Sequence, residues 1–216
     1  MEYLKTFLLA VFVLALSGCS TPRSPVLPSP VAMEKIPGDK ALLVGSIARK
    51  SGREYHHSFG AYLRQTDDPG DGERISITAS DGFFGGVGKF DDDFADDDSS
   101  GSLFVASVSP GAFEIHGFYV GINGLILMNE IQFKTDEGLT VPFLLEAGHV
   151  HYLGELLADG MLLRMLPGWK VAGGDANWTI RNMFDRDIEL LRQRYPALDW
   201  DAATSLFPDG WEIGGQ

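Results

Sequence analysis

The sequence predicts a mainly β fold, an antiparallel β-sandwich carrying one C-terminal α-helix. Three observations carry that expectation. Short apolar segments alternate with a period of two, and Gly, Asp and Pro punctuate them. No strand–helix–strand rhythm runs along the chain. One segment near the C-terminus shows an apolar period of 3.6 residues instead.

Taken in order, residues 41–48 (ALLVGSIA) are apolar with few breaks and read as a first strand. Residues 74–79 alternate, with Ile75, Ile77 and Ala79 on one face. Phe113, Ile115, Gly117 and Tyr119 alternate against Glu114, His116 and Phe118. Residues 141–145 and 149–153 form a pair of strands around Glu146-Ala147-Gly148, a tight turn. Residues 161–166 and 169–171 complete the set. The helix is capped by Asn182, and Asp185 in its first turn suits the positive end of the helix dipole. Phe184, Ile188, Leu191 and Tyr195 make one apolar stripe, expected to pack on the sheet. Arg192 and Arg194 occupy the last turn, and Pro196 ends it. Phe207 and Trp211 suggest that the tail docks as well.

The N-terminus has a different grammar. Residues 7–16 (FLLAVFVLAL) carry no polar side chain, but a bilayer needs about 20 such residues. The run ends in Leu16-Ser17-Gly18-Cys19, and Cys19 is the only cysteine of 216 residues. This segment resembles the lipobox signal of bacterial lipoproteins. The resemblance implies cleavage before Cys19 and acylation of that residue by diacylglycerol and palmitate-type chains. Two or three chains anchor stably where one holds marginally. Ser20 stands where an aspartate would favour inner-membrane retention in enterobacterial lipoproteins. The expected location is therefore the outer membrane of the cell envelope, with the domain facing the periplasm.

The organisation that follows is a signal peptide over 1–18, a Pro-rich tether over 19–38, a β-sandwich over 39–172 and a helical C-terminal appendage over 173–216 packed on the sandwich. Pro22, Pro25, Pro28, Pro30 and Pro37 favour extended polyproline geometry in the tether, or a disordered tail with no spacing role. No disulfide can form within one chain, so stability must come from the core.

A second resemblance rests on 108–115 (VSPGAFEI) and 143–156 (FLLEAGHVHYLGEL). These stretches are similar to transthyretin-like and carboxypeptidase-regulatory-like sandwich lipoproteins, over residues 40–157. The resemblance implies an Ig-like or transthyretin-like, non-enzymatic module and brings no catalytic residues with it. The acidic insert at 91–98 lies outside its pattern.

Charge narrows the partners. The chain has 30 acidic against 17 basic residues, a formal net charge of −13, and loss of residues 1–18 leaves that balance unchanged. Such a surface argues against nucleic acid and against direct adhesion to anionic phospholipid or lipopolysaccharide. The membrane contact is assigned to the lipid on Cys19, and the remaining partner to an envelope protein or polysaccharide.

Residues 91–98 (DDDFADDD) place six carboxylates in eight positions. Two readings stand. Like charges are expected to repel and leave a solvated loop. Alternatively Asp91, Asp93, Asp96 and Asp98 bind Ca²⁺, which takes several oxygens from one loop. The EF-hand pattern fails, because Asp96 and Ser102 occupy its glycine and glutamate positions. No other cofactor is implied. Asp67, Asp68, Asp71 and Glu73 make a second acidic loop without a motif. His149 and His151 share one strand face, but a zinc site lacks further ligands, so surface histidines are expected. The Gly-rich stretch 82–90 departs from the phosphate-binding loop pattern, and no nucleophile-elbow or zinc-protease motif occurs. Phe83, Phe84, Phe90 and Phe94 flank the acidic run and either form a binding edge or fold the insert onto the sheet.

The expected function is a non-catalytic binding or structural module. A Ca²⁺-dependent adhesion domain and an envelope hydrolase with dispersed carboxylates, drawn from residues such as Glu114, Glu130, Glu146 and Glu155, are the alternatives.

Overall fold

In a computed structural model, the described residues are 35–51, 58–67, 72–80, 92–123, 128–131, 141–159, 163–166, 169–172, 177–208 and 212–215. They form a mainly β protein with two large sheets, a small hairpin and one long helix. Fourteen strands run in the order β1 (Ala41–Lys50), β2 (Ser58–Gln65), β3 (Arg74–Ser80), β4 (Phe94–Ala95), β5 (Ser99–Val108), β6 (Gly111–Asn123), β7 (Met128–Ile131), β8 (Val141–Leu145), β9 (Val150–Asp159), β10 (Leu163–Leu166), β11 (Trp169–Ala172), β12 (Asn177–Arg181), β13 (Thr204–Ser205) and β14 (Glu212–Gly215). Helix α1 spans Phe184–Arg194 and a 3₁₀ turn covers Trp200–Ala202.

The larger sheet has the order β14-β12-β9-β1-β5-β4, with β13 also on β9. The smaller sheet has the order β3-β2-β6-β7, with β8 also on β6. Pairing is antiparallel throughout the smaller sheet. The larger sheet is mixed, since β1–β9 and β9–β13 run parallel. The other pairings of the larger sheet are antiparallel, so the two parallel ones qualify the antiparallel expectation without overturning it. Strands β1 and β9 are far apart in sequence, and the whole smaller sheet is inserted between them, so no tight turn dictates their relative direction.

The centre of the larger sheet is covered on both faces. Leu43 and Ile47 of β1 and Phe104 and Ala106 of β5 share one apolar cluster with Phe59, Phe113 and Phe143 of the smaller sheet. Leu42 and Val44, with Leu103 and Val105, face the opposite way and meet Ile188 and Leu191 of α1 and Tyr195 at its C-terminal end. A strand buried on both faces reads as continuously apolar rather than alternating, which is why 41–48 has so few breaks. The stripe expected for α1 is confirmed, with Phe184 packing beside it. An isolated 11-residue helix is marginal in water, so this packing, at about 1.5–3 kcal/mol per buried large aliphatic, is what holds it.

The segment 173–216 supplies more than a helix. It contributes β12, β13 and β14 to the larger sheet, and Leu206 and Phe207 pack against the core shared by the two sheets. Asn182 sits just before the helix, and its Oδ1 accepts the Phe184 N–H at 2.9 Å. Trp211, the Gly-rich stretch 82–90, the signal and residues 19–34 of the tether lie outside the described residues, while Ile36, near the end of the tether, packs against the cluster under α1.

Candidate functional site

The chemically richest place in the described structure lies where β1, β5, β9 and β12 meet α1. A bulge builds it. Val44 is opposite Tyr152, but Ser46 is opposite Glu155, so two steps along β1 match three along β9. In a regular strand Tyr152 and Glu155 would point to opposite faces. The bulge turns both toward α1. Gly154 carries it with φ +114°, a conformation that L side chains rarely adopt.

Three buried polar groups converge there. Ser46, Glu155 and Asp187 are each 0% exposed. Asp187 Oδ2 accepts the hydroxyls of Ser46 at 2.6 Å and Tyr152 at 2.7 Å, and its Oδ1 accepts Arg186 Nε at 2.9 Å. Glu155 Oε1 accepts Arg186 Nη2 at 2.8 Å and Ser99 Oγ at 3.2 Å, while its Oε2 accepts Arg181 Nε. Arg186 also lies 3.7 Å over the Phe94 ring, so its flat face is covered as well.

The acidic run closes over this cluster. Asp96 Oδ2 pairs with Arg186 at 3.1 Å, and Asp98 pairs with Arg181. On either side Asp92 pairs with Arg49 at 3.2 Å and Asp93 with Arg194 at 2.6 Å. Asp93 Oδ2 also accepts the Leu103 N–H at 2.8 Å, and Asp96 Oδ1 accepts the Ser99 and Asp98 N–H groups at 2.7 and 3.0 Å. Four arginines from β1, β12 and α1 thus hold the loop, although Asp96, Asp97 and Asp98 stay exposed to solvent.

The electrostatics separate the members. Burial pushes the Asp187 carboxyl up, and Arg186 and the two hydroxyls only partly offset it. Burial also opposes ionisation of Asp96, but the Ser99 and Asp98 N–H groups and Arg186 outweigh it and hold that carboxyl down. Burial and the neighbouring Asp187 charge push the Tyr152 phenol far up, so it is a hydrogen-bond donor at any physiological pH. Burial would lower both guanidinium groups, but Glu155 and Asp98 on Arg181, and Asp187 and Glu155 on Arg186, raise them instead. Every one of these groups is engaged by another member of the cluster.

The chain matches no protein-family model and no curated protein. A solved structure, a leucine-rich repeat protein from Bacteroides thetaiotaomicron, aligns at 11% identity over 57% of this chain and 12% of that chain, with a TM-score of 0.32.

The residues singled out in the sequence fall as follows. Leu16, Ser17, Gly18, Cys19 and Asp91 lie outside the described residues. Asp93, Asp96 and Asp98 are not brought together around a common point. Each faces its own arginine, and among the described residues no three His, Cys, Asp or Glu side chains gather in a way that could hold a metal ion. Phe94 belongs to the fold rather than to a binding edge, since it underlies Arg186. In the second acidic loop, Asp67 accepts the Ala112 N–H at 3.1 Å and Glu73 the Ser109 N–H at 2.7 Å, so both brace the β5–β6 turn. Glu114 pairs with Arg64 on the outer face of the smaller sheet. His151 is buried, against the expectation of a surface histidine, while His149 is exposed.

Ser46, Ser99, Tyr152, Arg181, Arg186 and Asp187 were not among the expected site residues. For Asp187 a signal existed. It stands at i+3 from Phe184 and i−4 from Leu191, on the apolar face of the helix, where an acid must find partners.

Proposed function

We propose that the chain is a lipid-anchored envelope module that binds or scaffolds and does not catalyse, built on an Ig-like or transthyretin-like sandwich. The observation that carries the non-catalytic reading is the saturation of the buried cluster. Glu155, Asp187, Arg181 and Arg186 satisfy one another and the two serines, so within this cluster each acid and base already has a protein partner. An active site needs groups whose hydrogen bonds are completed by the reacting molecule. The anchor rests on Leu16-Ser17-Gly18-Cys19. No helix among the described residues is long and apolar enough to cross a membrane.

The test is metabolic labelling of the full chain with an alkyne palmitate in a bacterial host, followed by fractionation. The wild type should be labelled and sediment with outer membrane, and Cys19→Ser should be unlabelled and absent from the outer-membrane fraction. An unlabelled wild type, or a Cys19→Ser chain still sedimenting with outer membrane, would refute the anchor.

A further inference from the structure

His151 sits in a hydrogen-bond chain that only a neutral imidazole can complete. Its Nε2 accepts the Glu146 N–H at 2.9 Å. The proton of the neutral ring is therefore on Nδ1, which faces Thr204 Oγ1 at 3.4 Å. Thr204 Oγ1 in turn donates to Val150 O at 3.4 Å. The residue is 5% exposed, so water cannot replace a lost partner.

Two segments meet at this ring, and a third bonds the next residue of β9. The β8–β9 turn is one, and its other bonds reach the root of β1, where Gly148 N–H donates to Lys40 O at 2.7 Å and Leu42 N–H to His149 O at 2.9 Å. Strand β13 is the second, with Thr204 opposite His151 and Ser205 opposite Tyr152. The third is the turn after β13, where Leu206 N–H donates to Tyr152 O at 2.9 Å.

We propose that His151 is a pH-sensitive latch, whose protonation sets two donors face to face at Nε2 and frees the β8–β9 turn and β13 from the sheet. The charged and titratable neighbours acting on the ring are Glu146 and His149, both on the turn. Among the described residues β1 places Leu43 beside it and β13 the Thr204 hydroxyl. Burial holds the imidazole below its ordinary range and outweighs the backbone hydrogen bond at Glu146, which raises it; His149 then acts with burial and the Glu146 charge against it. A base whose folded pKa is depressed gives its full stabilisation above the unfolded value of about 6.5 and loses it as pH falls toward the folded value. The latch is therefore closed at neutral pH and loosens under mild acid. Because the same turn holds Lys40 and Leu42, the loosening reaches the point where the preceding chain enters the fold.

Hydrogen exchange on the full chain in detergent, corrected for the intrinsic pH dependence, tests this at pH 7.5 and 5.0. Amides of 146–149 and 204–206 in the wild type should lose about tenfold protection or more in acid, while those in the middle of α1 hold. His151→Gln, whose amide oxygen accepts the same N–H without titrating, should show no acid-dependent loss. His149→Gln should behave as wild type. Equal protection at both pH values in the wild type, or the same loss in His151→Gln, would overturn the latch. Should His151→Gln fail to fold, histidine ¹⁵N spectra of the wild type decide. A neutral Nδ1–H ring persisting below pH 6 supports the proposal, and titration at or above about 6.5 removes it.

Discussion

Arg186 of the helix donates to Glu155 of the central strand at 2.8 Å, and Glu155 is wholly buried. The pair therefore joins the helical layer to the middle of the larger sheet through a charge that water does not reach. Arg181 donates to the other oxygen of the same carboxylate from the neighbouring strand. One anion thus neutralises two cations from two elements.

The first prediction follows from that arrangement. Removing one partner of a buried pair costs about 3–5 kcal/mol, because the remaining charge stays buried and unpaired. Arg181 and Arg186 retain Asp98, Asp96 and Asp187, which softens the loss. Glu155→Gln should lower unfolding stability by about 2–4 kcal/mol in urea titration at pH 7. A loss below about 1 kcal/mol would mean that the cluster is not a brace.

Asp187 should respond differently, although it is equally buried. Its carboxyl is pushed up by burial more than its partners pull it down. A carboxyl with a raised folded pKa binds its proton more readily folded than unfolded. Stability from this group therefore rises as pH falls through the folded value and is not lost there. Asp187→Asn keeps an oxygen for the Ser46 and Tyr152 hydroxyls and carries no charge to desolvate, but it gives up the pair with Arg186, which keeps Glu155 and Asp96. Its cost at pH 7 should be smaller than that of Glu155→Gln, because one cation rather than two loses a partner and a charge is no longer buried. Urea titrations of the two variants side by side check the order, and a reversed order would contradict this account.

How far the sequence reached is clearest from particular elements. Alternating segments on the smaller sheet, such as 74–79 and 141–145, were legible because one face is core and the other is not. The stripe Phe184, Ile188, Leu191, Tyr195 was legible for the same reason. Strand β5 was not. Its first half, Ser99–Ser102, is small and polar and follows the acidic run, and its second half is buried on both faces and does not alternate. Strand β9 was read as ending near Tyr152-Leu153-Gly154, but it continues to Asp159 through the bulge. That bulge also hid the site, because only a register shift puts Tyr152 and Glu155 on one face. The partners of the aspartates were out of reach too. Arg49, Arg181, Arg186 and Arg194 arrive from two strands and a helix remote in sequence, and no local pattern announces such pairing.

Gly154 allows a direct check of the bulge. A Cβ added there would stand 3.1 Å from both Arg181 O and Ile180 Cγ2, and φ +114° is strained for any L side chain. Gly154→Ala should cost about 1–3 kcal/mol. Gly148, at φ +77° with open space around it, provides the control. Gly148→Ala carries backbone strain alone, so it should cost less. Equal costs in thermal or urea unfolding would show that the close approach at the bulge contributes nothing.

The last prediction concerns the acidic run. Ca²⁺ needs several oxygens converging at 2.3–2.6 Å. Asp92, Asp93, Asp96 and Asp98 are instead spread over Arg49, Arg194, Arg186 and Arg181, and gathering them would break four ion pairs. Ligand binding to the native state raises its melting temperature by mass action. Thermal unfolding of the full chain with EDTA and with millimolar Ca²⁺ should therefore agree within about 1 °C. Arg181→Gln should melt lower in both conditions, because Asp98 and Glu155 lose a shared cation while the metal still has no site. A Ca²⁺-dependent rise of several degrees in the wild type would mean that the loop leaves its arginines for the ion, and would make it a metal centre after all.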